Sequence, residues 1–451
     1  MIYPARRFSG TFGHTFPMRL DTIVAPITGS QPAAVAIVRI SGPDAWAIGA
    51  RVFDRWPSAV TSHQAIYGRV DSGDEALALP FAEGHSYTGE EAIEFSIHGS
   101  PASVKALVDR CLREGSRLAE PGEFTRRAFM NGRMDLSQAE GVRDTIMAQT
   151  DIQLRQANLH RQGALSREVA AMKERALRLL TGVEASVDFS EEVGEFDRRS
   201  GLLELEDLVT RTEKLLATAT AGHILRHGLR VAIVGPPNAG KSSLLNVLLG
   251  VDRAIVSEIP GTTRDYIEEQ ADLGGVLCVL FDTAGLRESG DQVESLGIQR
   301  ARAIAGNADE VWYVYDASVG WAPSDSEAMA SFDRPVLVLA NKSDLPAAAP
   351  SPAEIRVSAV SRLGLDALIG HIREKVGEAG ERPFVNERHG VALEGALHGL
   401  RSAAKAMEYD MPDDLLSVGF REAASRYGEI TGDTATEDII DRIFHDFCVG
   451  K

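Results

Sequence analysis

The chain has 451 residues, of which 44% are hydrophobic, and a formal net charge of −18 at pH 7. At roughly 150 residues per domain, this length predicts about three domains. The negative charge argues against broad nonspecific adhesion to nucleic acid, so any RNA contact must use a local basic patch or a partner. The cysteines, Cys111, Cys278 and Cys448, are too widely spaced for a metal motif or a disulfide framework, which indicates a reducing compartment. No run approaches the roughly 20 apolar residues of a membrane span, and we predict no membrane association.

Residues 1–20 contain arginine and hydroxyl side chains but no acidic residue. This composition weakly resembles a mitochondrial transit peptide, whereas the alternative is an N-terminal extension without structure ahead of Met18. We favour the extension, and therefore expect the protein in the cytoplasm in preference to the mitochondrial matrix.

Short apolar runs separated by Gly, Pro and Ser turns occupy residues 21–135, with one helical stretch at 104–115. This pattern predicts a small α+β domain. Residues 136–226 contain no proline and carry leucine and alanine at helical spacing. They are predicted to form long helices, the first part of a helical domain.

Residues 227–380 alternate apolar strands with helical segments, which is typical of a doubly wound parallel sheet. Helical spacing returns in residues 381–451. Insertions are best tolerated where the two chain ends lie close together. We therefore predict a multidomain protein in which an α/β domain is inserted into a helical domain.

A phosphate-binding loop is indicated by Gly235-x-x-x-x-Gly240-Lys241-Ser242, which follows a predicted strand and precedes a helical run. In that context backbone N–H groups surround the phosphates at a helix N-terminus. Lys241 would reach the β and γ oxygens as a catalytic group, and Ser242 would ligate Mg²⁺.

Two later motifs predict the rest of the γ-phosphate site. Thr263, in the loop IPGTTRD, can complete the Mg²⁺ shell while a γ-phosphate is present. Asp282, in the segment DTAG, would support the metal, and the Gly285 amide would contact the γ-phosphate. Ras-like enzymes follow this segment with a glutamine that orients water, but Leu286 stands here. Another polar group, a bound cation or a second subunit must therefore complete the hydrolytic site.

The base is predicted to be guanine. Asp344, in the segment NKSD, can accept hydrogen bonds from the ring N–H and the amino group of guanine, whereas adenine has no matching donors. The segment Ser358-Ala359 follows NKSD along the chain. Together these motifs indicate a GTPase.

Longer blocks carry a resemblance to a known family, namely SYTGEEAIEFSIHG, PGEFTRRAFMNGRMDLSQAEGV, DTAGLRESGDQVESLGI and the terminal FCVGK. The chain resembles the MnmE, or TrmE, family of tRNA modification GTPases along nearly its whole length. The resemblance implies a tetrahydrofolate-binding-like N-terminal domain, a helical domain and an inserted Ras-like G domain. It also implies a homodimer that works with an MnmG-like FAD-dependent protein in a heterotetramer. Such proteins add a carboxymethylaminomethyl or aminomethyl group at carbon 5 of the wobble uridine of tRNA. The one-carbon unit comes from a tetrahydrofolate derivative, 5-formyl- or 5,10-methylene-tetrahydrofolate.

The same resemblance assigns the nucleotide-site residues. Glu294 would orient the attacking water, although an exposed helix glutamate is the alternative. A K⁺ ion would replace the positive charge of an arginine finger, and its ligands would be Asn238, Ser257, Ile259 and Thr262. The predicted GTP-binding residues are Asn238, Ala239, Gly240, Lys241, Ser242, Ser243, Ser257, Glu258, Ile259, Pro260, Gly261, Thr262, Thr263, Asp282, Thr283, Ala284, Gly285, Asn341, Lys342, Asp344, Ser358 and Ala359.

For the folate site, the resemblance implies Arg39, Glu94, Arg133 and Lys451, with Cys448 near the one-carbon unit as a catalytic thiol. An arginine can grip a carboxylate tail with two hydrogen bonds, and a carboxylate can pair with the donor edge of a pterin ring. The alternatives are surface charges at Arg39 and Glu94 and a small buried hydrophobe at Cys448.

A second class of function is an assembly or signalling GTPase that hydrolyses GTP without modifying RNA. Pure switches carry neither the N-terminal blocks nor the FCVGK tail. These segments therefore favour the tRNA-modifying function.

Overall fold

The computed structural model describes residues 21–250, 268–282, 304–348, 352–377 and 382–451. These residues divide into two compact units. Unit 1 contains residues 21–143, 161–184 and 420–451, and unit 2 contains the described residues of 144–160 and 185–419. The predicted multidomain organisation is confirmed, whereas the bounds of its five sequence segments stay a prediction.

Regular secondary structure covers most of the described residues. The strands are β1 (Ile23–Pro26), β2 (Ala33–Ser41), β3 (Ile66–Arg69), β4 (Glu75–Phe81), β5 (Ala92–Gly99), β6 (Arg117–Leu118), β7 (Leu229–Val234), β8 (Glu268–Leu273), β9 (Val276–Asp282), β10 (Glu310–Asp316), β11 (Val336–Asn341) and β12 (Ile355–Arg356). The helices are α1 (Ala45–Val52), α2 (Pro101–Arg113), α3 (Glu123–Met130), α4 (Leu136–Met147), α5 (Asp151–Arg161), α6 (Ala164–Asp188), α7 (Ser190–Val193), α8 (Arg198–Leu216), α9 (Ala219–His227), α10 (Lys241–Leu249), α11 (Pro323–Met329), α12 (Leu365–Val376), α13 (Glu387–Glu408), α14 (Asp413–Thr431) and α15 (Glu437–His445). No described helix is both long enough and apolar enough to cross a lipid bilayer.

Unit 1 is built on a six-stranded sheet in the order β3-β4-β5-β2-β1-β6. Neighbouring strands are antiparallel except β1 and β6, which are parallel. Helix α2 begins with Pro101, a favoured first helical residue because its missing N–H would have no partner there. The core between the sheet, α1 and α2 includes Val38, Ile40, Ile48, Phe95 and Leu107. Burying each such side chain contributes about 1.5–3 kcal/mol.

A second apolar cluster of unit 1 holds the C-terminal helix α15. It joins α15 and the residue Phe447 to α3 and α4, and its members are Phe129, Leu136, Ala139, Ile440, Ile443, Phe444 and Phe447. The apolar residues of α15 lie on one side because they recur every three or four positions. The end of the chain is therefore anchored to the body of unit 1.

Unit 2 contains the six-stranded sheet β12-β11-β10-β7-β9-β8. All neighbouring strands are parallel except β8, which is antiparallel to β9. Separate apolar clusters include Val231 and Ile233 on one side of β7 and Ala232 and Val234 on the other. Both sides of this strand are thus covered, as expected for a doubly wound sheet.

In unit 2 the chain passes from helices into the sheet at β7 and returns to helices after α12. Helix α8 packs along α13, and α9 leads directly through Gly228 into β7. The residues that return from the sheet, 382–386, lead into α13, whose first turn is capped by the Asn386 side chain. Residues on either side of the inserted sheet are therefore neighbours within this unit.

Candidate functional site

The loop between β7 and α10 has the backbone geometry of an anion-binding site. Asn238 has φ 62°, and Gly240, at the start of α10, has φ 87°. Residues in this left-handed region turn their amides inward, and the N-terminus of a helix adds favourable positive potential. Lys241 lies at the first position of α10. Its Nζ donates to the carbonyl oxygens of Gly235 at 2.9 Å and Pro236 at 2.8 Å. The loop can thus cradle phosphate oxygens.

Asn341, at the end of β11, links this loop to the predicted guanine-binding segment. Its side chain is almost completely buried, and its Nδ2 donates to the Ala239 carbonyl at 2.8 Å. The Ala359 amide donates to Asn341 Oδ1 at 3.3 Å. One amide side chain therefore holds together the segments that the sequence assigns to the phosphates and to the base.

Asp344 and Lys342 are each oriented by a neighbouring side chain. Ser358 Oγ donates to Asp344 Oδ1 at 2.6 Å, which fixes the rotation of the carboxylate. Lys342 Nζ donates to Asp316 Oδ2 at 2.6 Å. Burial would raise the pKa of the Asp316 carboxyl, but hydrogen bonds from Lys342 and Ser318 lower it below its usual value. Asp316 is therefore a stable anionic anchor for Lys342.

The remaining nucleotide-site predictions divide by location. Ser242 and Ser243 are at the start of α10, where both are exposed, and Asp282 is the last residue of β9. The predicted site residues outside the described parts of the chain are Ser257, Glu258, Ile259, Pro260, Gly261, Thr262, Thr263, Thr283, Ala284, Gly285 and Glu294.

A second candidate site lies in unit 1, where Arg39 and Glu94 face each other across β2 and β5. Arg39 Nη2 donates to Glu94 Oε1 at 2.7 Å, and Arg39 Nε donates to the same oxygen at 3.0 Å. The guanidinium also lies 4.8 Å from the ring centre of Tyr87 and 5.3 Å from that of Phe124. These aromatic faces favour a cation. The pair is largely buried, so the alternative of ordinary surface charges does not describe it.

The C-terminal residues join this site. The Gly122 amide donates to the Cys448 carbonyl at 3.3 Å, and the Lys451 amide donates to the same oxygen at 3.3 Å. Burial lowers the pKa of the Lys451 ammonium, and the positive charge of Arg39 lowers it further. The Cys448 side chain is exposed, so it does not complete the buried face of α15.

The structure brings together Arg39, Glu94 and Lys451, but it places Arg133 differently. Arg133 follows α3 on an exposed loop and donates to the Gly84 carbonyl at 2.9 Å. Among the described residues, it forms no hydrogen bond or ion pair with the other three. The sequence reasoning missed Tyr87 and Phe124, whose rings become neighbours of Arg39 only when β2, α3 and the segment before β5 come together.

A buried ionic network in unit 1 was also missed. Arg127 of α3 is buried. It donates to Glu123 Oε1 at 2.9 Å and to Asp21 Oδ1 at 2.7 Å. Arg117 donates to the same two carboxylates. The i, i+4 spacing of Glu123 and Arg127 was the available signal, and the network leaves Arg127 no role as an exposed cation.

The ionic network should make the free energy of unfolding depend on pH. Burial would raise the pKa of the Glu123 carboxyl, but hydrogen bonds from Arg117 and the Glu120 amide bring it below its ordinary value of 4.5. A lowered pKa stabilises the folded state above the unfolded pKa, and this stabilisation is lost as pH falls through the folded pKa. Glu123→Gln should cost about 3–5 kcal/mol of unfolding free energy at pH 7, and should weaken the loss of stability below pH 4.5. Denaturant unfolding at several pH values measures both effects.

The matched control is Glu174→Gln, which removes the acid of an exposed i, i+4 pair with Arg178. It should change the free energy of unfolding by less than about 0.5 kcal/mol. Equal effects of the two substitutions at pH 7 would show that the buried network does not stabilise unit 1.

Comparison with known proteins gives matches along nearly the whole chain. A family described as the GTP-binding protein TrmE N-terminus matches residues 22–133, and one described as the MnmE helical domain matches residues 136–448. The protein named tRNA modification GTPase MnmE from Moorella thermoacetica is 43% identical over 460 residues, covering 96% of this chain and 99% of its own. The protein of that name from Chloroflexus aurantiacus is 43% identical over 453 residues, covering 96% and 100%. The solved structure of Aquifex aeolicus Era bound to GDP and AlF4⁻ is 28% identical and covers 38% of this chain and 66% of its own, with a TM-score of 0.27.

Proposed function

The chain belongs to the MnmE family of tRNA modification GTPases, and on this premise we propose that it hydrolyses GTP during the modification of tRNA. The observation that carries the proposal is the single Asn341 side chain that joins the phosphate loop to the guanine-binding segment. Because Asn341 contacts both segments, a shift of the phosphate loop would also displace the segment that contacts the base. The assembly-switch alternative gains no support, because the family similarity also covers the N-terminal residues and the tail.

For GTP binding, we propose that the amides at the start of α10 and the Lys241 ammonium hold the phosphates. In the described structure Lys241 Nζ contacts two loop carbonyls, so it lies within the loop that it would serve. Asp344, oriented by Ser358, would accept the guanine donors. By these assignments, the Asp344 carboxylate would determine the specificity for guanine, and the loop between β7 and α10 would determine the affinity for the phosphates.

Two cations are part of the proposal. The hydroxyl of Ser242 lies in the first turn of α10 and has the oxygen chemistry that Mg²⁺ prefers, with Thr263 as its proposed second protein ligand. The exposed Asn238 offers an amide oxygen to K⁺, together with Ser257, Ile259 and Thr262. When bound, these cations supply positive charge near the phosphates. Glu294 is proposed to orient the attacking water when the G domains of two subunits pair in a homodimer.

In unit 1 we propose a site for a tetrahydrofolate derivative that carries a one-carbon unit. A carboxylate, a guanidinium and aromatic rings lie together at Glu94, Arg39, Tyr87 and Phe124. This set fits a flat heterocycle with hydrogen-bonding edges. Lys451 adds a cation of lowered pKa, and Arg133 is proposed for the anionic tail. The exposed Cys448 thiol is proposed to act at the one-carbon unit.

The proposed substrate is the wobble uridine of certain tRNAs, which would receive an aminomethyl or carboxymethylaminomethyl group at carbon 5. An MnmG-like FAD-dependent protein would be the partner in a heterotetramer, and the cytoplasm would be the location. The FAD of that partner would supply redox chemistry, while the residues of this chain would bind GTP and the one-carbon donor.

The test is nucleoside analysis of tRNA from a strain that lacks this protein. Complementation with the wild-type chain should restore the modified wobble uridine, whereas Lys241→Ala and Lys451→Met should restore less than about a tenth of it, because each removes a proposed ligand group. The control is His398→Asn, which changes an exposed residue of α13 and should restore it fully. Unchanged wobble uridines in the deletion strain would contradict the function, and full restoration by Lys451→Met alone would contradict only the folate site.

A further inference from the structure

The junction between the helices and the inserted sheet of unit 2 contains a cluster of metal-ligating side chains. His223 and His227 lie one turn apart on α9, and Glu387 is the first residue of α13. Helix α9 precedes β7, and α13 follows the return of the chain from the sheet. The cluster therefore spans the points where the chain enters and leaves the sheet region.

Both helices are held firmly at this junction. The Val385 amide donates to Thr218 Oγ1 at 3.2 Å. A Cβ at Gly222 would collide with the Val385 carbonyl, so α9 lies against the returning segment without intervening space. Helix α5 adds further hydrogen bonds, from Gln153 Nε2 to the Leu225 carbonyl at 2.8 Å and from Gln156 Nε2 to the Arg382 carbonyl at 3.0 Å. The two elements that carry the ligands are therefore fixed relative to each other before any ion binds.

The three side chains already lie close together. His223 Nδ1 is 2.8 Å from Glu387 Oε1, and the rings of His223 and His227 have centroids 4.9 Å apart. One ligand atom from each residue lies within 4.8 Å of the others. Ligands of a tetrahedral ion with bonds of about 2.0–2.1 Å are about 3.3 Å apart, so the ligand atoms must approach one another by side-chain rotation to close the site.

We propose that His223, His227 and Glu387 bind a divalent transition-metal ion of the Zn²⁺ type. Two imidazoles and one carboxylate are ligands that Zn²⁺ accepts, whereas Mg²⁺ prefers oxygen ligands alone. His227 and Glu387 are exposed and His223 is half-buried, so an ion can enter and water can occupy the fourth position. The site goes beyond the proposed GTPase function and uses none of its residues.

Neighbouring charges are compatible with a cation. Arg226 forms an ion pair with Asp144 at 3.3 Å, and the Arg388 guanidinium donates to His389 Nε2 at 2.9 Å. Each of these arginines therefore has a partner outside the cluster. A surface ion pair alone would explain the contact between His223 and Glu387. His227, on the same side of α9, adds a third ligand group and so makes a chelating site.

A bound ion would connect the helix before the sheet to the helix after it. Because it binds the folded junction and not the unfolded chain, it would stabilise unit 2 in proportion to its occupancy. The ion therefore restrains the two segments through which the inserted domain is connected to the helices.

The test is calorimetric titration of the chelator-stripped, full-length protein with Zn²⁺ alone, without nucleotide. His227→Asn and Glu387→Gln should each weaken one Zn²⁺ site by at least about tenfold, and should abolish the rise in unfolding temperature that Zn²⁺ causes in the wild-type chain. Both positions are exposed, so neither substitution opens a cavity in a core.

His398→Asn on α13 is the matched control, since it removes an exposed imidazole outside the cluster, and it should leave Zn²⁺ affinity unchanged. The proposal is overturned by a wild-type chain without a Zn²⁺ site, or by equal Zn²⁺ affinity in the wild-type chain and both cluster variants. If either variant fails to fold, the other supplies the same comparison.

Discussion

Asp344→Asn is expected to lower the affinity for GTP by about 100- to 10,000-fold and to make xanthosine triphosphate the preferred nucleotide. The reason lies in the hydrogen bond from Ser358 Oγ to Asp344 Oδ1, at 2.6 Å. In the variant, the amide oxygen keeps this bond, so the new NH2 group takes the position of the second carboxylate oxygen. A donor there opposes the amino group of guanine but matches the carbonyl of xanthine.

The magnitude follows from two hydrogen bonds to a charged acceptor, each worth about 1.5–3 kcal/mol. Displacement of a fluorescent nucleotide by GTP and by xanthosine triphosphate measures the affinity for each, and thus shows which nucleotide the variant prefers. Asp366→Asn is the control, because Asp366 is an exposed acid in the first turn of α12 and should have no effect. Wild-type affinity for GTP in Asp344→Asn would show that Asp344 does not contact the base.

Gly240→Ala is expected to reduce GTP affinity by at least about 30-fold while most secondary structure persists. Gly240 has φ 87°, where a side chain costs about 1–2 kcal/mol. The added methyl group would also collide with the Asn341 amide, which binds the Ala239 carbonyl and accepts from Ala359. Each of these hydrogen bonds is worth about 0.5–1.5 kcal/mol. The free loop can relax to avoid the collision, and binding of GTP must then restore the strained form.

Titration of fluorescent GTP, with circular dichroism as a check on folding, tests this expectation. Gly250→Ala is the matched control at the other end of α10. Its φ is −83°, and the nearest atoms to an added Cβ are at 3.4 Å, so its GTP affinity should match that of the wild-type chain. Equal GTP affinities in Gly240→Ala and Gly250→Ala would show that the backbone conformation of Gly240 is not needed for nucleotide binding.

Much of the fold could be predicted because hydrophobic spacing is a local property. The parallel strands carry continuous apolar runs, and the helical stretch predicted at residues 104–115 is found as α2, Pro101–Arg113. The phosphate loop was equally accessible, since its glycines, lysine and serine act through spacing along a single turn. Boundaries were less accurate, because the end of a helix depends on its cap and its neighbours.

Long-range partners of charged residues could not be predicted in the same way. Arg127 had the sequence appearance of a surface cation, yet Asp21 and Glu123 neutralise it in a buried network. The cluster of His223, His227 and Glu387 was not anticipated either, because the whole inserted sheet separates its two helices in the sequence. Such contacts depend on which elements pack together, and a single sequence does not display that.

By itself, the sequence determined the GTPase motifs, the alternation of helices and strands, and the family resemblance, because each rests on residue types at short, regular spacing. Only the tertiary structure decided that Lys451 approaches Arg39 and that Asn341 joins the phosphate loop to the guanine segment. Burial and hydrogen bonding act between residues that are close in space, whatever their separation along the chain.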